Sequence, residues 1–429
     1  MISLNNETTS TSGDPIWVGT YISTKGKVTT NVDGTNNNYD VGSGLQLPSA
    51  MTLANLFLLE DKVQHKIDDS GIGFVLVKAN NDYVTVNSYV APTITTPSVQ
   101  RGIDAASPGF TVNVGPGSFT EQLEVNKALT IDGQGSGITN IVSPNSLTLS
   151  YTTSGVNKPV IYVHDASDVI IKDITIDGAG KGNANNRFQG IGYRNAGGTV
   201  RDCEIKAIRN TPIDGVQAGV GVFALADNGT PRTLNLIKNN IFDFQKNATS
   251  LSGLDLTAKV DSNTVTGAGP VSFIAQNGIQ LSFGAAGSVR NNTISGLSYI
   301  PSTAVSCGVL LYQPTGPDTT SNNTLTGCQM GIYYIDVSGH ISENTLNSTA
   351  ANTGTTSYWG IDADPGDRPK VVPQPNEDED LSRRKKSGLP DNPSSINTTI
   401  FRNVLTSDGT NGVGIEMDAL GTEILNATA

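Results

Sequence analysis

Residues 278–294 read GIQLSFGAAGSVRNNTI, and residues 308–325 read GVLLYQPTGPDTTSNNTL. Each opens on a glycine and a short alternating strand, then closes after a turn on the phrase apolar-x-x-Asn-x-apolar. The opening recurs at Gly190, Gly219, Gly253, Gly278, Gly308, Gly331, Gly360 and Gly412. The closing phrase recurs around Asn240, Asn263, Asn292, Asn323, Asn344 and Asn403, at spacings of 23, 29, 31, 21 and 59 residues. Val200…Cys203…Ile205 and Ile171…Ile174…Ile176 keep the same rhythm without the amide. A helix between parallel strands needs ten or more residues of its own, which these intervals do not leave. Three short strands and their turns do fit. The expected fold is all-β, a parallel β-helix of about ten coils at roughly 4.8 Å each, a rod of the order of 50 Å.

Burial follows from the period of two. The residues just after each glycine are Ile191, Val220, Leu254, Ile279, Val309, Ile332, Ile361 and Val413, which should face the lumen. The next residues are Gly192, Gly221, Asp255, Gln280, Leu310, Tyr333, Asp362 and Gly414, which should face out. The asparagines are expected to turn inward as a ladder, each amide bonding its own coil and the next, because a buried amide must be paired. The sequons at Asn291 and Asn322 begin one residue before this column, so a glycan there is compatible with it.

The rest of the composition excludes several classes. The chain has 429 residues, 47 of them glycine, 36% apolar and 15% charged, with a net charge of −12. Such an acidic excess repels phosphate backbones, so no nucleic-acid partner is expected. Cys203, Cys307 and Cys328 are too few for a disulfide framework and read as buried thiols, and His65, His164 and His340 are too scattered for a zinc site. The longest early apolar run, Leu53–Leu59, is too short to span a bilayer, and the first residues lack the character of an export signal.

Residues 1–96 read as a separate β-rich region, in which Met51–Ile67 reads as helix or strand; its helical apolar side would be Leu53, Phe57, Leu58 and Val63. Residues 97–429 carry the solenoid. A short helix is expected over Ser98–Ala106, capped by Thr96 or Ser98 and stopped by Pro108-Gly109. The 59-residue interval holds a proline-rich insertion at about 364–395, with opposed charge blocks at Glu377–Asp380 and Arg383–Lys386.

The run from Ser98 to Gly137, with VQRGIDAASPG, TVNVGPGSFTEQLEV and KALTIDGQGSG, resembles the opening of right-handed parallel β-helix proteins of the pectin-lyase-like superfamily. The resemblance covers roughly 97–420. It implies a right-handed solenoid with three sheets per turn, and either polysaccharide chemistry or a purely structural or adhesive role.

No catalytic constellation stands out. Asp362 and Asp364 alternate on one strand, Asp255 lies four coil steps from Asp362 in this register, and Asp214 sits in a faint polygalacturonase-like stretch without its partners. The lyase pattern implied by the resemblance would need acidic calcium ligands, for which Asp173, Asp177, Asp202 and Glu204 are the candidates; Lys172 and Arg201 beside them allow simple ion pairing instead. Tyr312, Tyr333, Tyr358 and Trp359 on successive coils suit a sugar or a protein surface. The expectation is therefore an extracellular or surface structural or adhesive rod that associates with itself or another surface protein. It would require no cofactor, with calcium possible. A polysaccharide-active enzyme is the alternative.

Overall fold

The computed structural model describes residues 29–88, 96–300, 304–316, 318–347, 358–364, 398–406 and 412–417. It is an all-β parallel solenoid with three sheets, of 11, 11 and 10 strands among the described residues. Each coil contributes one strand to each sheet. The front sheet runs from Leu123–Val125 to Gly412–Met417, the back sheet from Asn81–Val84 to Thr398–Phe401, and the side sheet from Gly117–Thr120 to Val404–Thr406.

Registers are strict. In the front sheet Ile191, Val222, Thr249, Ile279, Val309, Ile332, Ile361 and Ile415 stand above one another. The back sheet stacks Ile171, Val200, Leu236, Val260, Val289, Thr320, Ile341 and Ile400, and the side sheet Ile176, Ile205, Ile241, Val265, Ile294, Leu325, Leu346 and Leu405. One continuous core results, from Ile67 to Ile400. Thr320 breaks the aliphatic column because the lumenal Tyr334 needs an acceptor: its hydroxyl donates to Thr320 Oγ1 at 2.9 Å.

Several expectations are corrected. At the Gly219 and Gly412 phrases the register lies two residues on, so Val222 and Ile415 take the lumenal column and Phe223 and Glu416 the outward one, while Val220 packs outside the lumen with Tyr151, Phe223 and Leu225. The strand at the Gly253 phrase is Asn247–Ser252, where Ala248 takes the glycine's place; Leu254 is exposed and Asp255 sits in a turn, so Asp255 leaves the outward column. The ladder residue of that region is Asn239, 2% exposed, and not Asn240, which is exposed on the side sheet. Leu236-x-x-Asn239-x-Ile241 and Ile237-x-x-Asn240-x-Phe242 both satisfy the phrase, and a one-residue slip exchanges inside for outside. The last concerns the N-terminal region. Its strand Asn81–Val84 pairs in parallel with Thr111–Val114, so it begins the back sheet rather than standing apart.

Within this cap, helix α1 (Leu53–Glu60) starts on Thr52, whose hydroxyl accepts from the Asn55 N–H. It buries Leu56 and Leu59 against Val41, Met51, Val63, Val75, Val77 and Tyr83, while Leu53 and Leu58 face out, against the expected apolar side. Helix α2 (Val99–Ala105) is capped by Ser98 and roofs the first coil.

The inward turn has a geometry that sequence did not assign. The residue before each ladder position carries the positive φ: Asp173, Asp202, Lys238, Ser262, Asn291, Asn322, Glu343 and Arg402, all between 54° and 58°. This left-handed residue swings the chain from back sheet to side sheet and delivers the next side chain inside. Asn239, Asn263, Asn292, Asn323, Asn344 and Asn403 follow it, each Oδ1 accepting the main-chain N–H and Nδ2 of the asparagine one coil earlier at 2.9–3.0 Å from Asn263 onward.

Candidate functional site

The outward column of the front sheet reads Glu124, Tyr162, Gly192, Phe223, Ser250, Gln280, Leu310, Tyr333 and Asp362. Unlike the lumen, it changes character along the rod. In the first coils the Tyr162 ring lies between Tyr151, with centroids 5.1 Å apart and planes at 5°, and His164, at 4.5 Å and 23°. Tyr162 and His164 share a face because they alternate on the strand Val156–His164. Tyr151 comes from a short antiparallel strand folded back onto Val156-Asn157. It is fixed by its hydroxyl donating to Gln189 Oε1 at 2.8 Å, while Gln189 Nε2 donates to Asn157 Oδ1 at 3.0 Å.

Charge surrounds this ledge. His164 Nε2 lies 2.9 Å from Glu124 Oε1 and Nδ1 lies 3.0 Å from Asp165 Oδ2, so only a doubly protonated ring donates to both. Arg194 stands one coil above His164 and pairs with Asp227. Burial pushes the Tyr162 hydroxyl above its usual pKa, Asp165 and Glu124 add to that, and Arg194 opposes it. Beside the ledge, the loops over 182–188 and 209–219 enclose a cleft of about 310 Å³ lined by Asn183, Asn186, Arg187, Phe188, Arg209 and Val216. Arg187 joins the two features by donating to Ser154 Oγ at 2.8 Å, on the hairpin that carries Tyr151.

Further along, the face is an amide strip. Asn247 Nδ2 donates to Gln280 Oε1 at 2.7 Å, Gln280 Nε2 to Ser282 Oγ at 3.3 Å, and Ser252 and Ser282 hydroxyls meet at 2.9 Å. Beyond it Phe283, Val305, Cys307, Leu310, Tyr312, Met330, Tyr333 and Ile335 pack together. Tyr333 points away from the lumen as expected, yet it is 2% exposed and belongs to this second apolar cluster, as does Tyr312. The strand Tyr358–Asp364 sets Trp359 beside Met330; the side chains of Tyr358 and Trp359 lie outside the described residues, as does the insertion after Asp364.

Asp362 continues the column, with Glu416 paired to it on the next strand, and Asp364 stands over Ile335; the two aspartates are 1% and 3% exposed, with the Tyr333 hydroxyl 3.4 Å from Asp364 Oδ2. Asp214 is not near them. Its carboxylate staples the 209–219 loop, accepting from Asn210 Nδ2, Gln245 Nε2 and the Val216 N–H, and these bonds hold its pKa below the usual range. It sits just ahead of the strand Val220–Leu225, five strand steps or about 24 Å from Asp362's strand.

The proposed calcium ligands are engaged otherwise. Lys172 pairs with Asp132 and reaches Asp173 at 3.6 Å, Arg201 pairs with Asp202 at 2.6 Å and Lys206 with Glu204 at 2.7 Å. Asp177 accepts from the Ala179 N–H at 2.7 Å. Among the described residues, the group with cation-like spacing is instead Glu60, His65 and Asp68, buried in the cap with ligand atoms within 4.8 Å of one another. The Val75 N–H donates to His65 Nδ1 at 3.0 Å, so Nε2 carries the ring proton and donates to Glu60 Oε1 at 2.9 Å. A ring in that tautomer has no lone pair left for a metal. The three cysteines are free and buried. No helix among the described residues is long and apolar enough to cross a membrane.

Sequence reasoning missed the ledge. The period-two signal was present in YVH and LEV, but these early coils lack the glycine phrase that would have aligned them.

No family model and no curated protein matches the chain. Solved structures of similar fold include the Dettilon tailspike protein (11% identity, TM-score 0.46, covering 78% of this chain and 68% of that one). An alginate lyase from a Paenibacillus species is 10% identical with a TM-score of 0.41, covering 79% and 99%. A lacto-N-biosidase from Eubacterium ramulus is 8% identical, also at 0.41, covering 80% and 68%.

Proposed function

We propose that the protein, whose fold resembles that of the pectin-lyase-like parallel β-helix superfamily, works outside the cell on polysaccharide, bound at the outer face of the first front-sheet coils, where Glu124, Tyr162, His164 and Arg194 are half-buried while the later outward residues through Asp362 are closed off. The carrying observation is the Tyr151–Tyr162–His164 stack. The free side of that stack is the outer face of the His164 ring and the edge of Tyr162, since Tyr151 is buried behind them; a pyranose whose C–H face stacks there can bond its hydroxyls to Glu124, Asp165 and Arg194. The neighbouring carboxamide- and arginine-lined cleft suits an acidic substituent of the same chain. A panel of neutral and acidic polysaccharides, assayed for binding and for released products with and without calcium, tests this. Tyr162→Ala should weaken binding at least tenfold without lowering the melting temperature by more than a few degrees. Full binding by the variant would refute the placement.

A second reading, a structural or adhesive rod that binds without cleaving, is favoured by the closed environment of Asp362 and Asp364. Asp362→Asn and Asp364→Asn separate the two: loss of product release with retained binding supports catalysis, and no product from either the parent or the variants supports the adhesive role.

A further inference from the structure

The cap holds a set of ionisable groups that the front face does not use. Glu60 ends α1, His65 and Asp68 lie on the loop that follows, and Asp82 sits on the first strand of the back sheet. Their exposures are 1%, 1%, 6% and 1%. His65 ties three segments together: its ring bridges the Val75 N–H and Glu60, and its own N–H donates to Asp68 Oδ2 at 2.9 Å. Asp82 is different. It alternates with Val84, which faces the lumen, and its Oδ1 lies 3.9 Å from where a Cβ on Gly102 of α2 would stand. Neither Asp82 oxygen nor Glu60 Oε2 has a hydrogen bond of good geometry; the Tyr83 N–H beside Asp82 and the Ser88 hydroxyl beside Glu60 only temper the effect of burial. A bare carboxylate is strongly disfavoured in such surroundings, so it takes up a proton instead.

We infer that this cluster is a proton-held latch: Asp82 and Glu60 in their neutral form keep the cap seated on the first coil, and loss of those protons loosens it. The surroundings were built for few charges. Glu60 faces Asp61, the residue that caps its helix, as well as Asp68 and Asp82; Asp82 faces His65 and, across the first coil, Lys127; Asp68 faces His65 and Arg101 of α2. The two cations are committed elsewhere. Lys127 Nζ donates to the Ala106 carbonyl at 2.7 Å, and Arg101 binds the carbonyls of Ile67, Ser88 and Thr96.

Burial raises Glu60 and Asp82 well above the carboxylate range and Asp68 to about 7, with Glu60's charge adding to both aspartates. Folded pKa values raised in this sense give stability that is full below about pH 4 and is lost as the pH climbs through about 7 and beyond. His65, depressed by burial, acts oppositely below about pH 6.5, but three carboxyls outweigh one imidazole.

Hydrogen exchange on the full chain between pH 5 and 8, corrected for intrinsic rates, reads the latch directly. Peptides covering 53–76 should open up to about tenfold more per pH unit for each proton released, while peptides covering 188–206 stay level as an internal reference. Asp82→Asn is isosteric and needs no proton, so at pH 8 it should reduce cap opening at least tenfold and flatten the pH slope. Glu60→Gln carries the same test through a second residue, and the slope of the unaltered protein stands without either variant. A flat profile in the unaltered protein overturns the inference. So do variants with an unchanged slope, or a cap that closes on added calcium and opens on chelation.

Discussion

Replacing Asn292 by leucine tests the ladder at its centre. The Asn292 Oδ1 accepts the Asn263 N–H at 2.9 Å and Asn263 Nδ2 at 3.0 Å, and its Nδ2 donates to the Val260 carbonyl at 3.0 Å and to Asn323 Oδ1 at 2.9 Å. All four donor and acceptor positions of the amide are therefore used, without water, at 1% exposure. Leucine matches the volume and deletes every bond. The Asn263 N–H is the costliest orphan, because a main-chain donor between coils has nowhere else to turn. Buried unsatisfied groups cost about 1–3 kcal/mol each, whereas Asn323 Oδ1 loses one donor and keeps the main-chain N–H of residue 292. With about 1–2 kcal/mol returned by burying leucine, the net loss should be about 2–4 kcal/mol. Solenoids can unfold by segments, so the assay pairs a chemical-denaturation midpoint with hydrogen exchange at the Asn263 amide. The built-in control is the adjacent pair Asn239 and Asn240: Asn239→Leu should behave like Asn292→Leu, while the exposed Asn240→Leu should stay within about 0.5 kcal/mol. Equal effects at 239 and 240, or an Asn263 amide that keeps its protection in Asn292→Leu, would refute the reasoning.

Gly308→Ala should cost about 1–3 kcal/mol by overpacking, since the added Cβ would stand 2.5 Å from Leu325 Cδ2 and 2.7 Å from the Gly331 carbonyl; an unchanged denaturation midpoint would contradict this. Asp318 is raised to about 7 by burial, against the pull of the Gly287 N–H it accepts. Its contribution to stability is therefore full below about pH 4 and lost by pH 8; Asp318→Asn should narrow the gap between melting temperatures at pH 5 and pH 8, and an unchanged gap would count against it. Residues 365–397 leave between Asp364 and Thr398, a junction that the preceding coil spans with only Asp336–Ser338, from Ile335 to Gly339. Replacing the segment by a three-residue turn should preserve the β circular dichroism signal and cooperative melting, and loss of either would make the segment integral.

The lumen was legible because every coil repeats it. Ile279, Val309, Ile332 and Ile361 each touch a copy of themselves above and below, so a single alternating phrase carries the whole column. Legibility failed where one coil could be read in two registers. At Asn239-Asn240 both frames offered an amide between apolar residues, and only the pairing of Asn240 with Glu204 and Thr264 places it outside. At Gly253 a glycine followed by Leu-Asp-Leu imitated the strand phrase, while the true strand, Asn247–Ser252, has alanine and threonine where its neighbours have glycine and an aliphatic residue. The ledge was missed for a further reason. Tyr151 reaches Tyr162 through a hairpin that belongs to no repeat, and Glu124 meets His164 across 40 residues of chain.

The contrast between the two faces of one sheet also bears on function. Inward positions of the front sheet are constrained by packing, and they vary only as volume allows: Tyr193 sits beneath Ala224, and Tyr334 beneath Ala363, a large side chain filling the room a small one leaves. Outward positions carry no constraint from the lumen, although from Phe223 onward the front sheet packs its own outer clusters over them. A rod required only to be stiff would be content with threonine and serine there, and that is what the outward positions of the side sheet show at Thr264, Thr293, Thr324 and Thr345. The front sheet instead runs from Glu124 and Tyr162 through Phe223 and Gln280 to Tyr333 and Asp362. Phe223, Gln280 and Tyr333 brace the coils from outside, so the part of the column that packing does not account for is its half-buried start, Glu124 and Tyr162. Tyr162→Ala and Asp362→Asn should therefore separate in opposite assays from Asn292→Leu: the first two alter what the rod binds or releases, and the third alters only whether it stays folded.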